Sequence, residues 1–176
     1  MVEVIRTGHI EPHAEFAMSA RALLDDAYPD GAPNELDSYY ARHGIPAATI
    51  LLRDGRRLIG HLAIHERRIR IGNEALQVGL IGEIAVAADH RGRGLARGLV
   101  RQAHDDLRAR SIPFSILFAF EPRVCASSGY KPMQNETRFR DTDGAWKTLV
   151  YRGGMYAELS DRAWPNQLVD LCGPAV

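Results

Sequence analysis

The stretch from Ile81 to Leu99 holds the residues best spaced for chemistry: Ile-Gly-Glu-Ile-Ala-Val-Ala-Ala-Asp-His-Arg-Gly-Arg-Gly-Leu-Ala-Arg-Gly-Leu. An apolar strand ends at Val86, a tight loop carries Arg91-Gly92-Arg93-Gly94, and a helix begins at once. The first N–H groups of a helix lack internal partners, and the helix dipole adds about half a positive charge there. Glycines let the main chain approach a bulky anion. The pattern therefore reads as a phosphate cradle of backbone amides, with the arginines adding charge. It is not the six-residue dinucleotide fingerprint, nor a triphosphatase loop, because no Gly-Lys-Ser/Thr follows. The competing reading is a Gly-rich strand-to-helix turn with solvated arginines.

The loop needs a strand and a helix to position it, and both are legible. Leu76 to Ala87 is nearly apolar and reads as a central strand. Leu95, Leu99, Ala103 and Leu107 repeat every four residues, with Ala96 and Val100 beside them, predicting an amphipathic helix over 94–110. Upstream, 2–6 alternates like a strand, and 9–28 carries apolar residues at helical spacing. Residues 29–34 are a breaker cluster, and a short helix over 35–42 follows. Residues 47–53 and 58–71 are strands joined at Asp54-Gly55, and Gly72-Asn73 marks the next turn. Downstream come a strand over 113–120, a short helix over 122–128 and a hairpin, 137–140 with 145–151. The tail after Leu159, with Trp164-Pro165, Gly173 and Pro174, reads as irregular. The sum is an α+β fold in one domain over residues 1–176, with mostly antiparallel strands.

Composition narrows the partners. The 176 residues carry 22 Lys plus Arg against 22 Asp plus Glu, a formal charge of zero, so there is no basic surplus for nucleic acid or an anionic membrane. No apolar run approaches the roughly 18 to 20 residues of a membrane span, and the first residues show no secretory leader. Two cysteines, Cys125 and Cys172, are too few for a disulfide scaffold, so the expected setting is a reducing cytoplasm.

Arg91-Gly92-Arg93-Gly94-Leu95-Ala96 resembles the Arg/Gln-x-x-Gly-x-Gly/Ala signature of the GNAT superfamily of N-acetyltransferases. Ile84 to His90 resembles the strand and loop before it, and Ser128-Gly129-Tyr130 the family's small-x-Gly-aromatic turn. The likeness runs from Leu58 to Tyr130. It implies a mixed, mostly antiparallel sheet whose fourth and fifth strands splay apart, flanked by helices. It implies acetyl-CoA or another acyl-CoA as co-substrate, with no metal. The diphosphate would sit on amides of Arg91, Gly92, Arg93, Gly94, Leu95 and Ala96, and the pantetheine arm would pair with the backbone of Ile84 and Val86. A bulge in that strand commonly aims an N–H at the thioester carbonyl. Two branches look nearest. Aminoglycoside 2-prime N-acetyltransferases share the look of Gly60 to Ala88, including the Arg67–Leu76 hairpin. Nodulation N-acyltransferases share that of the tail, Trp164-Pro165 through Val169-Asp170 to Gly173-Pro174. Both acylate amines on sugars.

Acyl transfer to an amine needs a proton acceptor. Glu83, in an apolar strand beside the expected cofactor edge, is the candidate base; many relatives carry their glutamate where this chain has Leu80 or Gly82. Burial disfavours the charged carboxylate, which suits a base. The other reading has Glu83 in solvent or paired with an arginine. His61 and His65 share a strand face and could assist, but such a pair is expected to be a half-exposed surface feature. The family's usual acid is a tyrosine, and counting back from Gly129 puts Cys125 there. A thiol can donate to a leaving thiolate, or Cys125 is a small buried hydrophobe. Tyr130 and the tail tyrosines are other candidates.

The acceptor side is expected in the loop from Tyr28 to Tyr40, where Asp30, Glu35, Asp37, Tyr39 and Tyr40 could hold a cationic, hydroxylated small-molecule amine. The same loop also fits a solvated acidic segment with inward aromatics. Trp164 is expected to anchor the tail, and an edge strand near 146–151 could support a homodimer. The leading reading is an N-acetyltransferase acting by direct attack in a ternary complex. The alternative is a CoA-binding sensor or regulatory domain without turnover.

Overall fold

A computed structural model describes residues 2–7, 14–29, 45–119 and 122–175. The expected short helix over 35–42 and most of the acceptor loop lie outside them. The elements, in chain order, are β1 (Val2–Thr7), α1 (Ala14–Ala27), β2 (Ala48–Asp54), β3 (Arg57–Ile71), β4 (Glu74–Val86), a 3-10 turn (Ala88–His90) and α2 (Leu95–Ala109). There follow β5 (Phe114–Phe118), α3 (Pro122–Ala126), β6 (Lys131–Pro132), β7 (Glu136–Arg140), β8 (Trp146–Val150), β9 (Gly154–Glu158) and β10 (Val169–Pro174). They form two compact units, Met1–His65 with Gly82–Ala103, and Glu66–Ile81 with His104–Val176.

In the first unit β1 runs antiparallel to β2 from Val2↔Asp54 to Thr7↔Thr49, and β2 runs antiparallel to β3. Gly55, at φ 58°, makes the β2–β3 turn that Asp54-Gly55 predicts. Gly60 has no room for a side chain, since a Cβ there would lie 2.9 Å from Leu52. Ala20, Leu23 and Leu24 of α1 and Leu99, Val100 and Ala103 of α2 are buried, which is the predicted apolar stripe of each helix. The 82–86 part of β4 completes this unit, followed by an Ala87 N–H bond to the Ile59 carbonyl (2.9 Å).

In the second unit the strand order is β6-β9-β5-β4-β3-β10-β7-β8. β4 pairs with β5 in parallel, Gly79↔Ser115 to Ile81↔Leu117, and β4 then runs on to Val86. Leu107 explains Gly79: a Cβ there would come within 2.4 Å of the leucine. The core gathers Ile69, Val78, Leu80, Phe114, Ile116 and Val169 among others. Burying each such side chain contributes about 1.5–3 kcal/mol.

The tail corrects one expectation. Residues 169–174 are not irregular: they form β10, antiparallel to β3 and parallel to β7. Val169 and Leu171 alternate into the core, each fully buried, a two-residue period too short to stand out beside Gly173-Pro174. Trp164 anchors the approach as expected. Its ring stacks on Tyr156 at 4.6 Å, and its Nε1–H donates to Asn135 Oδ1 at 2.8 Å. No helix among the described residues is long and apolar enough to cross a membrane.

Candidate active site

The loop between β4 and α2 is built by two left-handed glycines. Gly92 and Gly94 both sit at φ 75°, where a side chain is strained. A Cβ on Gly92 would meet nothing within 4 Å, and one on Gly94 only the Arg97 guanidinium at 3.9 Å, so the space above the loop is open. The α2 ladder starts with the Gly98 N–H on the Gly94 carbonyl (3.0 Å). The amides of Leu95, Ala96 and Arg97 precede that bond, and those of Gly92, Arg93 and Gly94 meet no backbone carbonyl among the described residues. The expected row starts one residue late, however. The Arg91 N–H donates to the Ala88 carbonyl at 3.3 Å, closing the 3-10 turn.

Two arginines do something other than expected. Arg91 donates from Nε to the Val86 carbonyl (2.9 Å) and from Nη2 to Asp26 Oδ2 (3.1 Å). Arg93 donates from Nη2 to the Asp89 carbonyl (3.0 Å). Both guanidiniums brace the loop rather than stand out over it. Asp89 in turn receives Arg57 at 2.5 and 3.1 Å and His90 Nδ1 at 2.9 Å. Arg57, and after it His90, holds the Asp89 carboxyl well below the usual carboxylate range. Arg97 is exposed and has no ion pair among the described residues.

A cleft of about 490 Å³ opens on the braced side, lined by Ser19, Asp26, Arg57, Ala88 and Asp89 among others. Glu83 is not among the residues that line it.

Glu83 itself is buried and sits at φ 51° within β4, three residues before its end. A non-glycine residue there costs about 1–2 kcal/mol, so its surroundings must hold it. His61 Nδ1–H does so, donating to the Glu83 carbonyl at 2.8 Å. The Glu83 carboxylate pairs with His65, Nε2 to Oε2, at 3.1 Å. This corrects two expectations: Glu83 neither faces solvent nor pairs with an arginine, and His61 and His65 are buried. Glu83 gives the histidines polar partners, which is what lets them leave water. Burial pushes His61 below the usual imidazole value. The sequence named all three residues but not their burial, although Leu62, Ala63 and Ile64 between the histidines signal an interior strand.

The expected pantetheine edge is partly taken. Ala87 donates to β3, so alternation turns Ile84 and Val86 to the other edge of β4. The Ile84 carbonyl accepts the Tyr28 hydroxyl at 2.8 Å, as the Val86 carbonyl accepts Arg91. Each oxygen keeps a second lone pair.

Cys125 belongs to the second unit, on α3, half-buried, and burial pushes its thiol up. Tyr130 is no substitute acid. It is fully buried, its hydroxyl is 2.5 Å from Ser115 Oγ, and burial raises it far above an ordinary phenol.

Residues 12–133 match the acetyltransferase (GNAT) domain, well over half of the chain. The chain belongs to the GNAT acetyltransferases. This GNAT chain is 31% identical over 78 residues to an uncharacterized N-acetyltransferase of Streptomyces avermitilis, covering 44% of its own length but only 19% of that relative's. It superposes on the GNAT-family N-acetyltransferase YhbS of Escherichia coli, solved in complex with CoA, at TM-score 0.69 and 18% identity, over 97% of this chain and 91% of that one. A GNAT acetyltransferase of Brucella melitensis in complex with acetyl-CoA gives TM-score 0.65 at 13% identity, over 96% and 94%. These likenesses carry the expected GNAT fold.

Proposed function

We propose that this chain is an N-acetyltransferase that moves an acetyl group from acetyl-CoA to the primary amine of a small molecule, an aminosugar or aminoglycoside-like compound. The single observation that carries this reading is the open row of amides from Gly92 to Ala96 at the start of α2, with left-handed Gly92 and Gly94 beneath clear space. Such a row is a ready site for a diphosphate, and the family supplies the acyl donor. Ile84 and Val86 present the strand edge on which a pantetheine arm would lie. The aminosugar reading is supported by the look of the Arg67–Leu76 hairpin and of the tail from Trp164.

The step is a direct attack. The amine nitrogen bonds to the thioester carbonyl carbon, the C–S bond breaks, and the thiolate leaves. Glu83 takes the proton from the amine, and the Cys125 thiol is the donor to the thiolate. Two free cysteines and a CoA co-substrate suit a cytoplasmic setting. β8, at the end of its sheet path with Trp146, Leu149 and Val150 exposed, is the edge through which two copies would pair.

A thiol-release assay with acetyl-CoA against aminosugars, aminoglycosides, polyamines and peptides tests the reading. Turnover on an aminosugar supports it. Silence across the panel overturns it, and tight CoA binding in calorimetry alongside that silence selects the second reading. That reading, a CoA-binding module without turnover, is favoured by Cys125 where relatives carry tyrosine.

A further inference from the structure

His61, His65 and Glu83 are three neighbouring ionisable side chains, all buried, on β3 and β4. Removing polar groups from water is costly unless every one is paired, so the cluster needs a reason beyond packing. Two hydrogen bonds among the described residues divide the work. A carbonyl only accepts, so His61 must carry its proton on Nδ1 to reach the Glu83 main chain. That bond holds the left-handed backbone at φ 51°. An ionised carboxylate also only accepts, so His65 must carry a proton on Nε2 to reach Oε2. No bond among the described residues engages Oε1.

We propose that His65 is a positioning residue for acyl transfer: its Nε2–H holds Oε2 of Glu83, and Oε1 is thereby left, at a fixed orientation, to take the proton of the acceptor amine. This rests on the reading of Glu83 as the base. The proton leaves the amine nitrogen as its lone pair forms the C–N bond, and lands on Oε1. His65 keeps its own proton throughout, since Oε2 still accepts when Glu83 is neutral. The histidine is an orienting donor, not a relay.

The test compares E83Q, H65L and H65Q in the full chain, with acetyl-CoA and the best amine of the panel above. A glutamine amide reaches the place of Nε2 and still donates; leucine does not. Misorienting a reacting group costs about 100-fold in rate. H65L is therefore expected to lose roughly 10- to 100-fold in kcat with the acetyl-CoA KM within about twofold, and H65Q to recover most of the loss. A pair that serves only packing would not be rescued by a polar residue. Histidine side-chain nitrogen NMR adds a readout independent of turnover: His65 Nε2 is expected to be protonated, and E83Q to move its resonance.

If E83Q is inactive while folded H65L keeps wild-type kcat, the role of His65 is overturned and the base stands. If E83Q keeps wild-type kcat, the base falls and this inference with it. If H65L does not fold, H65N replaces it as the shortened donor; equal kcat for H65N and H65Q overturns the proposal, as does an unprotonated Nε2.

Discussion

The Tyr28 hydroxyl donates to the Ile84 carbonyl at 2.8 Å, tying the end of α1 to the edge of β4 that faces away from β3. A half-buried hydrogen bond of this kind contributes about 0.5–1.5 kcal/mol. Y28F is expected to lower unfolding free energy by that amount in chemical denaturation. Because the bond uses the edge expected for pantetheine, Y28F should bind CoA as tightly as wild type or tighter in calorimetry. A tenfold loss of affinity would mean that the hydroxyl contacts the ligand.

The glycines of the loop separate backbone from bulk. Alanine at Gly92 meets open space but must adopt φ 75°, a cost of about 1–2 kcal/mol. G92A is expected to lose about that much stability and about tenfold or more in CoA affinity. Gly98 also faces open space, but inside α2. G98A should therefore gain up to about 1 kcal/mol from helix propensity. Melting curves and CoA titrations of the two variants check both signs.

Arg91 is expected to act as a brace. Its two bonds, to Val86 and Asp26, use the planar fork of the guanidinium, which a lysine cannot reproduce. R91K should raise the acetyl-CoA KM nearly as much as R91A does. D26A should change it little, since an exposed ion pair is worth about 0–1 kcal/mol. Full function in R91K would mean that the charge alone matters.

These residues show what was and was not legible in the chain. The Arg91–Ala96 loop could be read because its signal is local: glycines, a strand end and a helix start within a few positions. The role of Arg91 could not, because Asp26 lies far away in sequence. Glu83 stands in a left-handed position with no glycine to announce it, and only the register of β3 brings His61 and His65 beside it. β10 was hidden for a similar reason. Its alternation of Val169 and Leu171 spans one turn of a two-residue period, and pairing with β3 and β7 decides it.

His104 predicts acid sensitivity. It is buried against Tyr130, with ring centroids 5.1 Å apart, and its Nε2 has no hydrogen-bond partner among the described residues. Burial, and then Arg108, push it from 6.5 down to about 4. A folded value below the unfolded one means that the unfolded chain binds the proton first. Stability is therefore intact above 6.5 and falls as pH drops toward 4, by at most about 3 kcal/mol. Denaturation of H104L across this window is expected to show a shallower decline than wild type. An unchanged slope would assign the acid loss to other groups.

The most direct measurement follows the backbone amides of Gly92 to Ala96 by nitrogen–proton NMR while CoA is added, with pantetheine, which lacks the diphosphate, as the control. CoA is expected to shift these five resonances and pantetheine to leave them in place. CoA binding that moves other amides and spares these would contradict the account.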